Sequence, residues 1–206
     1  MPPRRPCAHN VVVPQLADPA VAPGSLARLC QPALELDDFV LRPWRASDAP
    51  AVAEAYSDPG IQRWHVRSMT GPEAQAWVAS WPGRWASESG GGWAITGPSG
   101  LLGQVSLRRL YLADGLAEVS YWVVPAARGQ RVAPRALCAV TDWVFGHLRL
   151  QRIELAHSTM NPASCRVAGR AGYAFEGTKR REGLHHDGWH DMHLHARLAG
   201  DPRPVI

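Results

Sequence analysis

Lysine is all but missing from this chain. Lys179 stands alone among 22 basic side chains, set against 18 acidic ones. The net charge of +4 is mild and the arginines gather in no long cluster, so no nucleic-acid partner is expected. A small anionic ligand suits this balance better. Cysteine is scarce too. Cys7, Cys30, Cys138 and Cys165 contain no C-x-x-C pair, which leaves zinc and redox motifs unsupported. Reduced thiols in a cytoplasmic protein are the expectation. Long apolar runs are absent: none approaches the roughly 20 residues of a membrane span. Val11-Val12-Val13 ends at Pro14, short of the apolar core of an export signal, and Arg4-Arg5 ahead of it is no persuasive signal.

What is present is enough for one domain with a sizeable core: 206 residues, 46% of them hydrophobic. Residues 1–33 are rich in Pro and Ala and read as an extended arm, with packing against the domain or a partner subunit left open. A homodimer is therefore left open as well. The domain itself spans residues 34–206. Residues 34–44 read as a first strand, and Ser47 as the cap of a helix reaching about residue 57. Thr70 and Glu73 form a capping-box pattern with Pro72 in the first turn. Trp77, Val78, Trp81 and Trp85 then make a helical stripe that Pro82 is expected to break or bend.

Three strands follow, near residues 92–96, 101–110 and 117–124, joined by turn residues. A helix with Leu137, Val140, Val144 and Leu148 on one face comes next, then a strand at residues 152–159. Asn161 and Pro162 start a helix that Gly172 stops. A hairpin, residues 174–184 and 189–198, turns at Asp187-Gly188. The order predicts mixed α/β: an antiparallel run, a β-α-β crossover and a terminal hairpin.

The segment with most chemistry in it is residues 118–133, EVSYWVVPAARGQRVA. A buried strand runs to Pro125 and turns directly into a helix. A helix start presents backbone N–H groups without internal partners, and with the helix dipole these form an anion site suited to a pyrophosphate.

The surrounding motifs give this stretch its weight. Glu118-Val119-Ser120-Tyr121-Trp122, then Arg128-Gly129-Gln130-Arg131-Val132-Ala133, then Asn161-Pro162-Ala163-Ser164 closing on Gly172-Tyr173, then Asp187-Gly188-Trp189-His190-Asp191 occur in order. Together with Leu41-Arg42-Pro43-Trp44 they resemble the GCN5-related N-acetyltransferase (GNAT) superfamily, most closely its RimJ/RimL-like branch, over residues 35–198. The branch's loop pattern is Arg/Gln-x-x-Gly-x-Gly/Ala. Arg128 and Ala133 fit its ends, whereas Arg131 stands where the pattern has Gly.

The resemblance implies a GNAT acyl-CoA N-acyltransferase fold, with a central, mostly antiparallel sheet flanked by helices. It implies acetyl-CoA as cosubstrate, no metal, and direct attack by a primary amine in a ternary complex. A protein N-terminus, a polyamine and an amine-bearing metabolite or antibiotic all remain open as acceptors. So do two alternatives: a GNAT-fold CoA-binding or regulatory module without turnover, and a succinyl-CoA-dependent enzyme. Trp122, Val123 and Val124 would flank the pantetheine, and Arg128, Gly129, Gln130, Arg131, Val132 and Ala133 would hold the pyrophosphate. Asn161 would cap its helix and touch the cofactor.

Glu118 is the candidate base, with burial expected to raise its pKa; a structural carboxylate bonded to an arginine is the alternative. Ser164 is the candidate proton donor to the thiolate. Trp64, His65, Trp81, His190 and Asp191 are assigned to the acceptor pocket. Cys165 lacks an evident base partner and reads as a small buried hydrophobe. His193 and His195 share a strand face with Asp191, but the match of the hairpin to the family turns that cluster away from metal.

Overall fold

The computed structural model describes residues 16–205. Residues 1–15, the first half of the Pro-rich arm, lie outside the described residues. Eight strands form one sheet in the spatial order β1-β2-β3-β4-β5-β6-β8-β7. These are β1 (Leu34–Glu35), β2 (Val40–Pro43), β3 (Gly91–Gly97), β4 (Gly100–Tyr111), β5 (Leu116–Val123), β6 (Arg152–Ser158), β7 (Ala174–His185) and β8 (Gly188–Leu198). Every neighbouring pair is antiparallel except β5 and β6. That one parallel pair needs a crossover, which α4 (Val132–Trp143) supplies. The mixed α/β expectation holds, as does the terminal hairpin.

Two cores lie among the described residues. One gathers Ala136, Leu137, Val140 and Val144 of the α4 segment against Val105, Leu107, Ile153 and Leu155 of the sheet. The other lies under α1 (Ala49–Ala55), α2 (Pro59–His65) and α3 (Gly71–Ala86). Gly92 marks how closely α3 approaches the sheet: a Cβ there would stand 2.6 Å from the Trp81 indole. No helix among the described residues is long and apolar enough to cross a membrane.

Several local expectations change. Residues 34–44 form two short strands, not one. Ser47 does not cap α1. A 3-10 turn (Ala46–Asp48) precedes it, and the Asp48 carboxylate accepts from Arg45 N–H and, at 2.8 Å twice, from Arg42. Helix α2 was not foreseen, although Asp58-Pro59 carries an N-cap and N1 signature; Asp58 accepts from Ile61 N–H. The Thr70–Glu73 capping box forms as expected. Pro82 does not break α3. It sits on the exposed face, and docking of Val78, Trp81 and Trp85 offsets a penalty of about 3 kcal/mol.

The described part of the arm lies on the domain. Ala20 and Val21 N–H donate to Ala113 and Leu112 carbonyls, and Leu26 is fully buried. The Glu88 carboxylate accepts from the N–H groups of Gly24, Leu26 and Ala27.

Candidate active site

The parallel strands β5 and β6 pair over three positions only, Leu116 with Arg152, Ala117 with Ile153 and Glu118 with Glu154. From Val119 onward β5 has no strand partner on its β6 side, and a cleft opens there. Two cavities fill it, of about 540 and 470 Å³. Five residues line both: Trp64, His65, Tyr121, Asn161 and Ser164.

The smaller cavity runs from this junction to the turn that follows β5. Gly129 takes φ +80° and Arg131 takes φ +57°, ψ 18°, so the chain enters α4 through two left-handed residues. A left-handed non-Gly residue is strained by about 1–2 kcal/mol. Arg131 thus holds the backbone shape that Gly adopts freely, while its exposed side chain lines the cavity. Arg128 is committed elsewhere. Its Nη2 binds Asp58 Oδ1, and its Nε donates to the Val123 carbonyl. Burial alone would raise the Asp58 pKa, but the Arg128 hydrogen bond and the Ile61 N–H outweigh it and hold it low. One ion pair therefore ties the turn to the start of α2.

At the junction the Tyr121 hydroxyl donates to Ser164 Oγ at 2.9 Å. Burial pushes the Tyr121 pKa up to about 12, so the phenol keeps its proton. Ser164 is placed by Asn161, whose Oδ1 accepts from Ser164 N–H at 3.1 Å and caps α5 (Pro162–Arg170). His65 Nε2 meets the Tyr121 carbonyl at 3.1 Å, which makes that nitrogen the donor. Burial drives the His65 pKa down to about 4, so the ring is neutral near pH 7.

The larger cavity is cationic. Arg67, Arg84, Arg108 and Arg109 line it, with no Asp or Glu in its wall. Ser158, also in its wall, begins a relay that runs through buried His190 to exposed Asp187. Met160 N–H donates to Ser158 Oγ; Ser158 Oγ lies 2.8 Å from His190 Nδ1; His190 Nε2 lies 2.8 Å from Asp187 Oδ1. The carboxylate makes Nε2 the donor and Nδ1 the acceptor, so the hydroxyl donates to the imidazole. His185 stacks on His190 at 4.1 Å.

Residues 38–174 match the family model described as the acetyltransferase (GNAT) domain. The chain belongs to this family. Ribosomal-protein-serine acetyltransferase of Escherichia coli (strain K12) is 30% identical over 98 residues, 48% of this chain and 55% of that protein. The match thus spans about half of that relative's length. The uncharacterized N-acetyltransferase YoaA of Bacillus subtilis (strain 168) is 26% identical over 154 residues, 73% of this chain and 87% of its own. Among solved structures, the RimL ribosomal L7/L12 alpha-N-protein acetyltransferase bound to coenzyme A superposes with a TM-score of 0.76 at 18% identity, covering 81% and 98% of the two chains. Ribosomal-protein-S5-alanine acetyltransferase from Vibrio fischeri gives 0.76 at 18%, covering 84% and 100%. At these identities the structures show the fold, which is the GNAT fold, and the relatives support the RimJ/RimL-like branch.

Within the GNAT frame the foreseen residues separate. Trp122, Val123, Arg128, Gly129, Arg131, Val132, Ala133 and Asn161 line the smaller cavity. Val124 and Gln130 do not; Val124 N–H donates to the Leu102 carbonyl, and the Gln130 side chain to the Ala126 carbonyl. Trp64 and His65 stand at the junction, and buried Trp81 lines the larger cavity. His190 lies behind Ser158 rather than in the wall. Asp191 is exposed, outside both cavities, with its carboxylate on Arg181 N–H.

Glu118 also lies outside both cavities. Its side chain is 25% exposed and paired with Arg108 and Arg109 at 3.3 and 3.2 Å. This is the arginine-bonded arrangement that the sequence left open as the alternative to a base. Tyr121, the four arginines and Ser158 were not foreseen as site residues. Tyr121 stood inside a quoted motif, and the splay that exposes it is a tertiary event with no local signal.

Proposed function

We propose that this chain transfers an acetyl group from acetyl-CoA to the primary amine of an acceptor that also bears an anionic group, such as an acidic peptide N-terminus. The meeting of the two cavities at Tyr121 and Ser164 is the observation that carries this reading. CoA lies along the free edge of β5, with its pyrophosphate on the N–H groups of residues 129–133 at the start of α4. The acceptor enters through the arginine-lined cavity. The four arginines there, two of which share the single Glu118 carboxylate, leave a net positive wall that disfavours a polyamine and attracts a carboxylate or phosphate.

In the reaction the neutral amine attacks the thioester carbonyl carbon and the C–S bond breaks. The CoA thiolate takes the Ser164 hydroxyl proton, which Tyr121 O–H replenishes. The ammonium proton leaves through Ser158 to His190, and Asp187 stabilises the imidazolium. Glu118 is assigned to holding Arg108 and Arg109 at the cavity wall. The products are an amide and free CoA, and water restores the protons. The reaction is assigned to the cytoplasm.

Arg131 favours a second reading, a CoA-binding module without turnover, since its side chain enters the phosphate-side cavity. A thiol-release screen with acetyl-CoA and succinyl-CoA tests both. Release with acidic N-terminal peptides, and little with polyamines, supports the proposal. Tight CoA binding without release on any amine supports the module.

A further inference from the structure

At the edge of the larger cavity, whose wall includes His157, four side chains of α5, β6 and β8 converge that acetyl transfer does not use. The donor atoms of His157, Cys165, His193 and His195 all lie within 4.8 Å of one another. His157 comes from β6, Cys165 from α5, and the other two from β8, where His193 stands directly opposite His157 in the ladder.

Hydrogen bonding decides what the cluster wants. His157 Nδ1 faces the Ser158 carbonyl at 2.8 Å, and His195 Nδ1 faces the Tyr173 carbonyl at 3.3 Å. A carbonyl only accepts, so both Nδ1 atoms carry the proton and both Nε2 atoms present bare lone pairs. Those two Nε2 atoms point at each other across 3.2 Å in a buried site. Opposed lone pairs repel, and the space between them calls for a cation. His193 adds a buried Nδ1 with no hydrogen-bond partner.

We propose that His157, His193, His195 and Cys165 bind one zinc ion. Two nitrogens bound at about 2.0–2.1 Å to a tetrahedral ion stand roughly 3.3 Å apart, close to the spacing already present. Three imidazoles and one thiolate are a zinc-type donor set, and the carbonyls on Nδ1 are the outer partners that orient ligating histidines. On binding, the Cys165 thiol gives one proton to solvent and no electron moves. Four protein ligands leave no open position, so the ion is structural. It clamps α5 onto β6 and β8, and α5 carries Ser164 one residue before Cys165. The ion thereby positions the junction without touching substrate.

The test uses the full chain purified without added metal, then loaded with zinc and dialysed. About one zinc per chain is expected by mass spectrometry. Chelation should lower the thermal midpoint by roughly 5–10 °C, the effect of a ligand at about a hundred times its Kd. Cobalt added to the chelated protein should give a thiolate charge-transfer band that Cys165→Ser abolishes. Cys165 and His193 are only half-buried, so Cys165→Ser and His193→Ala should stay folded by circular dichroism while losing zinc. Cys30→Ser, at an exposed cysteine outside the cluster, should retain it. Substoichiometric zinc after loading, or zinc kept equally by Cys165→Ser and His193→Ala, would overturn the proposal.

Discussion

The Tyr121 hydroxyl and Ser164 Oγ, 43 residues apart in the chain, are hydrogen-bonded at 2.9 Å where the two cavities meet. Tyr121 donates, so the serine proton is free to point at a leaving thiolate. Removing either member should lower kcat by about 10- to 100-fold and leave the acetyl-CoA KM nearly unchanged. Tyr121→Phe and Ser164→Ala should also be non-additive, because they interrupt one proton path. Steady-state kinetics of the two single variants and the double variant measure this. Full additivity would separate the two residues.

Arg131 at φ +57° allows a stability test of the turn between β5 and α4. Substitution by Gly relieves about 1–2 kcal/mol of left-handed strain but adds about 0.4–1 kcal/mol of unfolded-state entropy. Arg131→Gly should therefore stabilise the protein by about 0.5–1 kcal/mol in urea titrations. Arg131→Ala keeps the strain and removes the guanidinium. It should weaken CoA binding by about 1.5–3 kcal/mol if that group reaches a phosphate. Tighter CoA binding in both variants would mean that the side chain only crowds the cavity.

Leu26 lies in the Pro-rich segment yet is fully buried, in a core with Val21 and Trp85. Leu26→Ala should cost about 2–5 kcal/mol by chemical denaturation, as a core substitution does. A loss under about 0.5 kcal/mol would mean that the segment is a detachable arm.

These residues show which features were legible. The capping box at Thr70, the stop at Gly172 and the hairpin at Asp187-Gly188 are written within a few neighbouring residues, and the structure contains them. Asp58-Pro59 was equally local and was passed over. Pro82 misled because its rule is local, while packing of Trp81 and Trp85 on the sheet is not. The turn residues Arg128 to Ala133 could be located from the motif. The pairing of Glu118 with Arg108 and Arg109 could not be settled, because a bulge between Leu107 and Arg109 sets their facing. The arginine wall and the approach of His157 to His195 join segments far apart in the chain, and no spacing announces them.

His65 predicts an acid-sensitive fold. Its pKa falls from 6.5 to about 4 on folding, chiefly through burial. Between those values the unfolded chain binds a proton that the folded ring refuses. Its contribution is fully present above about pH 6.5 and is lost as pH falls toward 4, roughly 3 kcal/mol in all. His65→Gln cannot titrate, so its urea midpoint should fall less than the wild type's across that window. Parallel pH dependences would contradict the burial of this ring.

A crystal structure of the full chain with CoA tests the central claim most directly. The pyrophosphate should lie against the backbone N–H groups of residues 129–133, and the thiol sulfur within about 3.5–4 Å of Ser164 Oγ, facing the arginine-lined cavity. CoA seated elsewhere, or a sulfur turned away from Ser164 and Tyr121, would contradict it.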